Sequence, residues 1–277
     1  MASSSSAAAS QQQHETVPDD HYRVTYEEIH EQISRSARLM RDQFRPDVLV
    51  PIMGGGMIPA RVLRTFLKVP SEVDSSKKRN IPIQAIGLAL YEEVAGTSAE
   101  SMGREVIRTQ WLDEGTFKRS HHAKQPSPSG AGAAGGLLGK NILIVDEVDD
   151  TRTTLQYAYQ ELLADVQKGL AALDPAQRAA LPPTRFAIFV VHNKHREGGK
   201  KGVLPLMAGQ GEGWKLEDQK VGQDGVGEGV WYYSADETGD CWVDYPWETE
   251  DILEHNRLAT LAKKLGVNTG RPPVKET

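Results

Sequence analysis

The stretch from Asn141 to Tyr157, NILIVDEVDDTRTTLQY, constrains this chain more than any other. Ile142 to Val145 is a run of β-branched and aliphatic side chains, which suits a strand buried on both faces of a parallel sheet. The run ends in the carboxylates Asp146, Glu147, Asp149 and Asp150. Thr151-Arg152-Thr153-Thr154 then leads into a helical pattern beginning at Leu155. Acids and hydroxyls therefore gather at the carboxyl end of a strand, just before a helix N-terminus, where open α/β sheets bind their ligands. Free N–H groups and the helix dipole favour phosphate there, and Thr hydroxyls add donors. A phosphate alone would not call for so many neighbouring acids. Carboxylates hold Mg²⁺ and accept hydrogen bonds from sugar hydroxyls, so the pattern points to a ligand carrying ribose, phosphate and magnesium together. Capping a helix needs one acid, not four. The chain lacks a G-x-x-x-x-G-K-[ST] pattern, which argues against a P-loop NTPase.

Around this stretch the chain alternates strand and helix patterns. Apolar residues recur at helical spacing from Tyr26 to Phe44, and Pro46 ends that helix. Val48 to Ile52 reads as a first buried strand. It runs into Met53-Gly54-Gly55-Gly56, a loop in which glycine permits unusual backbone conformations and close approach to an anion. A helix from about Ala60 to Leu67 follows. Ile81 to Leu90 reads as a strand, Tyr91 to Arg108 has no clear periodicity, and 120–139 is a Pro-, Gly-, Ala- and Ser-rich flexible insertion. The helix from Leu155 to Leu173 is amphipathic. Arg185 to Val191 is another buried strand, ending in His192-Asn193-Lys194. Residues 197–229 form a Gly- and Lys-rich insertion, Val230 to Ser234 a short strand, and Asp251 to Leu265 a closing helix. The reading is one domain over 21–265, with a disordered tail before it and a loose tail, 266–277, after it.

Composition bounds the function. The net charge of −6 and scattered basic residues give no support for nucleic-acid or anionic-membrane binding. The single cysteine, Cys241, permits no intrachain disulfide and fits a reducing, cytoplasmic setting. No apolar run approaches the length of a membrane span.

The wording VDEVDDTRTTL resembles the phosphoribosyl-pyrophosphate (PRPP) motif of type I phosphoribosyltransferases, and looks most like the fungal hypoxanthine-guanine and xanthine members. The resemblance extends, with gaps, from about Val24 to Asp251. It implies an α/β fold with a mostly parallel sheet flanked by helices and a small hood region. It also implies a purine salvage reaction, 6-oxopurine plus PRPP giving nucleotide plus pyrophosphate, with Mg²⁺ as cofactor, in a homo-oligomer such as a dimer. Carried over residue by residue, the resemblance makes Asp150 the general base and Asp146 and Glu147 the ribose and metal ligands. Thr151, Arg152, Thr153 and Thr154 become the 5′-phosphate cradle. Met53, Gly54 and Gly55 become the pyrophosphate loop, and Tyr91 the base of a closing loop. Lys194, Trp242 and Val243 become the purine site, with Glu248 as a further metal carboxylate. The chain departs from the family in several places: many relatives have Gly at Arg152, an apolar residue at Asp149, and Lys or Arg at Gly54, the Ser of the pair at the base of the closing loop is replaced by Leu90, and Glu248 stands where relatives often have Asp. Two other classes stay open on sequence grounds: a nucleotide-sensing regulatory protein on the same fold, and a Mg²⁺-dependent phosphohydrolase.

Overall fold

The computed structural model describes residues 16–71, 74–90, 106–112, 136–208, 210–211 and 213–271. Tyr91 and most of the 120–139 insertion lie outside them. The described residues fall into two compact units, one of 27–240 and a smaller one of 16–26 with 241–271.

The larger unit is built on a four-stranded parallel sheet. Its strands are β2 (Val48–Pro51), β7 (Asn141–Asp149), β8 (Arg185–Lys194) and β9 (Trp231–Thr238), in the order β2-β7-β8-β9. Register pairs Val48 with Ile142, Ile144 with Ile188, and Phe189 with Tyr233. Parallel strands must be linked by crossovers that cover both faces, so their side chains are apolar throughout, and Leu143, Ile144, Val145, Ile188 and Phe189 are all fully buried. One face packs on α3 (Thr153–Ala171), whose Leu155, Ala158, Leu162 and Val166 meet Val50, Ile144 and Ile188 in one core cluster. Helix α1 (Tyr26–Leu39) contributes buried Ile29 and Ile33, and a π-helical turn (Met40–Phe44) continues it. Phe44 lies 6.2 Å from Trp231, ring centre to ring centre.

Several boundaries differ from the sequence pattern: the helix expected from about Ala60 begins at Met57, β8 runs past Val191 to Lys194, and β9 runs past Ser234 to Thr238. Strand β7 continues through the acids to Asp149 rather than stopping at Val145. Beyond Pro51 it loses β2 as a neighbour but keeps β8, with Asp146 opposite Val190 and Asp149 opposite Asn193. Helix α3 begins two residues earlier than its apolar pattern, at Thr153. Of Ile81–Leu90 only β5 (Gly87–Leu90) is a strand, antiparallel to β6 (Val106–Gln110). Ile83 and Ile86 instead make single bridges to Leu49 and Ile52. Before β5, β3 (Val69–Pro70) pairs antiparallel with β4 (Lys78–Arg79), and a short helix α4 (Pro175–Ala179) follows α3.

In the smaller unit, β1 (Tyr22–Arg23) pairs in parallel with β10 (Val243–Asp244). Helix α5 (Ile252–Leu265) is capped by the Asp251 carboxylate, which accepts from Leu253 N and Glu254 N, and it ends at Gly266 in the left-handed conformation. His255 anchors it through a 2.9 Å contact of Nε2 with the Val24 carbonyl. Among the described residues no helix is long and apolar enough to cross a membrane.

Candidate active site

The carboxyl ends of β2, β7 and β8 carry most of the candidate residues. After β2, the Met53–Gly56 turn leads into α2 (Met57–Phe66). The Met53 N–H is committed to Ile86 O at 2.7 Å, and Gly56 N–H to Ile52 O at 3.2 Å. Among the described residues no main-chain carbonyl accepts from Gly54 or Gly55 N–H, so these two are the donors the loop presents. Met53 is thereby removed from the expected backbone donors. Gly54 has φ +100°, which glycine adopts without strain, and no cis peptide bond occurs among the described residues. Gly55 serves a second purpose: a Cβ there would overlap the Glu147 carboxyl group, so its absence lets that carboxylate lie against the loop.

On β7, Asp146 is buried and its Oδ1 accepts from Glu147 N at 3.1 Å. Burial first, and the adjacent Glu147 charge second, push the Asp146 carboxyl well above the usual range. Two such acids side by side are a hard-oxygen donor set for a divalent cation.

Asp150, the candidate base, follows the strand. It accepts a hydrogen bond from Arg196 Nη1, and its Oδ1 lies 3.4 Å from Lys194 Nζ at the end of β8. Asp240 Oδ1 is 4.0 Å from both Lys194 and Arg196. Burial pushes the Asp150 carboxyl up, but the Arg196 hydrogen bond and the Lys194 and Arg196 charges outweigh it and hold the group below its ordinary value. Asp150 and Lys194, singled out 44 residues apart in sequence, are thus brought together.

Thr151 to Thr154 turn into α3, whose first N–H groups have no partner within the helix. Thr151 Oγ1 and Thr153 Oγ1 are 3.2 Å apart. Arg152 has φ +68°, the left-handed conformation in which glycine is usual. Its Nε and Nη2 donate to Asp149 Oδ2 at 2.9 and 2.8 Å. The arginine expected in the phosphate cradle is therefore held by its neighbour.

Residues that the sequence pattern did not single out complete the site. Lys200 Nζ lies 3.0 Å from Asp149 Oδ1 and donates to Asn193 Oδ1 at 2.7 Å. The Tyr232 hydroxyl donates to Asp149 Oδ2 at 2.7 Å. Gly202 N–H donates to Thr151 O at 2.9 Å, so the start of the 197–229 segment braces the Thr loop. The one local signal was the lysine pair in Gly198-Gly199-Lys200-Lys201-Gly202, unusual in a glycine-rich stretch.

Trp242, Val243 and Glu248 belong to the smaller unit. Trp242 is 67% exposed, with the His21 ring 5.9 Å away. Tyr22 N and Val24 N donate to Trp242 O and Asp244 O. In a parallel pair the residue between, Val243, directs its own N–H and C=O to the opposite edge of the strand. Glu248 is exposed.

No protein-family model matches the chain. It is 42% identical over 233 residues to the hypoxanthine-guanine phosphoribosyltransferase of Schizosaccharomyces pombe, covering 84% of this chain and 91% of that protein. It is 39% identical over 239 residues to xanthine phosphoribosyltransferase 1 of Saccharomyces cerevisiae, covering 85% and 93%. Among solved structures, a hypothetical protein from Neisseria gonorrhoeae with bound ppGpp is similar, with a TM-score of 0.57 and 30% identity over 88% of this chain and 97% of that one. Identity of 39–42% to these fungal relatives over more than four fifths of its length makes this chain, with its parallel sheet ending in paired acids and a Thr loop, a member of the hypoxanthine-guanine and xanthine phosphoribosyltransferase family.

Proposed function

We propose that this chain transfers the 5-phosphoribosyl group from PRPP to a 6-oxopurine, forming the nucleotide and releasing pyrophosphate. The observation that carries the reading is the 3.4 Å approach of Lys194 Nζ to Asp150 Oδ1, beside the Thr151–Thr154 turn. A donor for the purine 6-oxo group and an acceptor for the N7 proton lie together, one strand away from a phosphate-binding helix start. A purine ring nitrogen attacks C1 of the ribose as the bond to the pyrophosphate oxygen breaks, and Asp150 takes the proton from N7. Lys194 donates to a 6-oxo group and rejects adenine, whose amino group is itself a donor. Thr151, Thr153 and Thr154 hold the 5′-phosphate, and Gly54 and Gly55 N–H hold the pyrophosphate.

Asp146 and Glu147 fit a Mg²⁺ that arrives with PRPP. That ion keeps water and substrate oxygens and takes one or two protein carboxylates. Among the described residues no group of three His, Cys, Asp or Glu side chains could hold a metal ion. When bound, Mg²⁺ offsets the pyrophosphate charge and improves the leaving group. The ppGpp in the Neisseria protein joins guanine, ribose and diphosphate, which supports a site reading those groups together. A cytoplasmic homodimer is part of the proposal, and light scattering tests the dimer.

The deciding experiment is turnover with PRPP and Mg²⁺ against hypoxanthine, guanine, xanthine and adenine in parallel. Nucleotide from one or more 6-oxopurines, and none from adenine, is the expected result. Folded protein that binds nucleotide but turns over no base would overturn it in favour of a sensing role. Phosphate release independent of base would favour a phosphohydrolase.

A further inference from the structure

Asp149 and Arg152 stand three residues apart, across the turn from β7 into α3. Asp149 is 1% exposed, and a carboxylate buried so completely requires cationic or hydrogen-bonding partners. Arg152 supplies two donors to its Oδ2, the Tyr232 hydroxyl a third, and Lys200 approaches its Oδ1. The Arg152 guanidinium carbon also lies 5.3 Å from the centre of the Tyr232 ring, so Arg152, Asp149 and Tyr232 form a closed triangle. The Arg152 side chain is 17% exposed and directed into this cluster. Meanwhile its backbone holds φ +68°, a conformation unfavourable to any residue with a Cβ. Such strain persists only where surroundings enforce it. The enforcement here is the ion pair on one side and, on the other, the segment around Gly202. A Cβ on Gly202 would collide with the Arg152 backbone.

We propose that Arg152 is a positioning residue for PRPP: its pairing with buried Asp149 fixes the left-handed turn that aims the Thr151–Thr154 donors at the 5′-phosphate, and its guanidinium is not itself a phosphate ligand. Asp149, whose side chain has no exposed surface, becomes a determinant of PRPP affinity without touching PRPP. Tyr232, kept a neutral phenol by burial and by the adjacent Asp149 charge, is the third member of the device. The inference rests on the PRPP-transfer reading above.

The test compares KM for PRPP, KM for hypoxanthine and kcat in wild type, Asp149→Asn, Arg152→Gly, Arg152→Ala and the Asp149→Asn/Arg152→Gly double variant. Positioning requires Asp149→Asn to raise KM for PRPP by about tenfold or more, with KM for hypoxanthine nearly unchanged. Arg152→Gly then adds little in that background, and Arg152→Ala is worse than Arg152→Gly because alanine keeps the strain without the tether. A direct phosphate ligand behaves oppositely. Asp149→Asn would free the guanidinium and leave KM for PRPP unchanged or lower, while both Arg152 variants would raise it equally; that outcome overturns the proposal. If Asp149→Asn fails to fold, Tyr232→Phe removes one donor from the triangle, and an unchanged KM for PRPP overturns the proposal equally. A wild-type chain inert towards every purine would defeat the PRPP-transfer reading instead. Ligand-free melting temperatures then decide the pairing: non-additive losses at positions 149 and 152 support it, and additive losses overturn it.

Discussion

Asp150 has two cationic partners, Arg196 and Lys194, and at the residue scale that pairing governs its chemistry. Asp150→Asn keeps the shape and removes the proton acceptor, so kcat should fall by about 10²- to 10⁴-fold while PRPP affinity is largely kept. Near-wild-type rates with hypoxanthine would remove Asp150 from the role of base. Arg196 hydrogen-bonds the same carboxylate, and under the proposed mechanism it gives way to the purine N7. The carboxylate is the active form, so activity is full above its pKa and lost as the pH falls through it. Arg196→Ala removes a cause of the lowered value, so the acid limb of the kcat/KM profile should move to higher pH. An unmoved limb would mean that Arg196 does not tune the base. Lys194→Ala should raise KM for the purine and relax discrimination against adenine, which parallel base kinetics would reveal. Asp150 and Lys194 were legible as polar residues where apolar strand runs end, and the resemblance to the family singled them out there. Arg196 was not, since a charged residue in a polar loop has no local feature tying it to a carboxylate 46 residues earlier.

At the scale of elements, the glycines after β2 divide their tasks. A Cβ at Gly56 would overlap the carbonyl oxygens of Val145 and Ile52, which are backbone and cannot rotate away. Gly56→Ala should therefore destabilise the fold by about 1–3 kcal/mol in a denaturant melt. A Cβ at Gly55 would meet only the end of the Glu147 side chain, which can swing. Gly55→Ala should instead raise KM for PRPP with a smaller loss of stability. If the two variants behaved alike, the assignment of one to packing and the other to ligand geometry would fail. The Met53–Gly56 loop was visible in the sequence as a glycine run between strand and helix. The commitment of the Met53 N–H was not, because that bond depends on Ile86 from a separate segment. Strand β7 likewise outlasts its apolar run, since pairing with β8 rather than side-chain hydrophobicity decides where its backbone stops.

At the scale of the whole molecule, His192 in the middle of the sheet links stability to pH. It is fully buried, and burial pulls its pKa down to about 4 against the opposing charges of Asp236 and Glu28. The folded state then binds fewer protons than the unfolded chain between pH 6.5 and about 4. Stability from this group is full above pH 6.5 and falls as the pH drops through that window, by about 3 kcal/mol in all. Denaturant melts from pH 7.5 to 4.5 should show that decline in wild type and a flatter profile in His192→Gln. The same profile in both would place the pH dependence elsewhere. By itself the sequence determined the order of strands and helices and the acid-and-threonine signature at a strand end. Those features are local, written in apolar runs and the polar residues that end them. Only the tertiary structure decided that Asp149 turns inward to Arg152, Tyr232 and Lys200 while Asp150 meets Arg196 and Lys194. Adjacent acids look alike in a sequence. Which one is buried and paired depends on strand register, on cations delivered by the end of β8 and the loop after it, and on the Tyr232 hydroxyl of β9, and those contacts form only when distant parts of the chain come together.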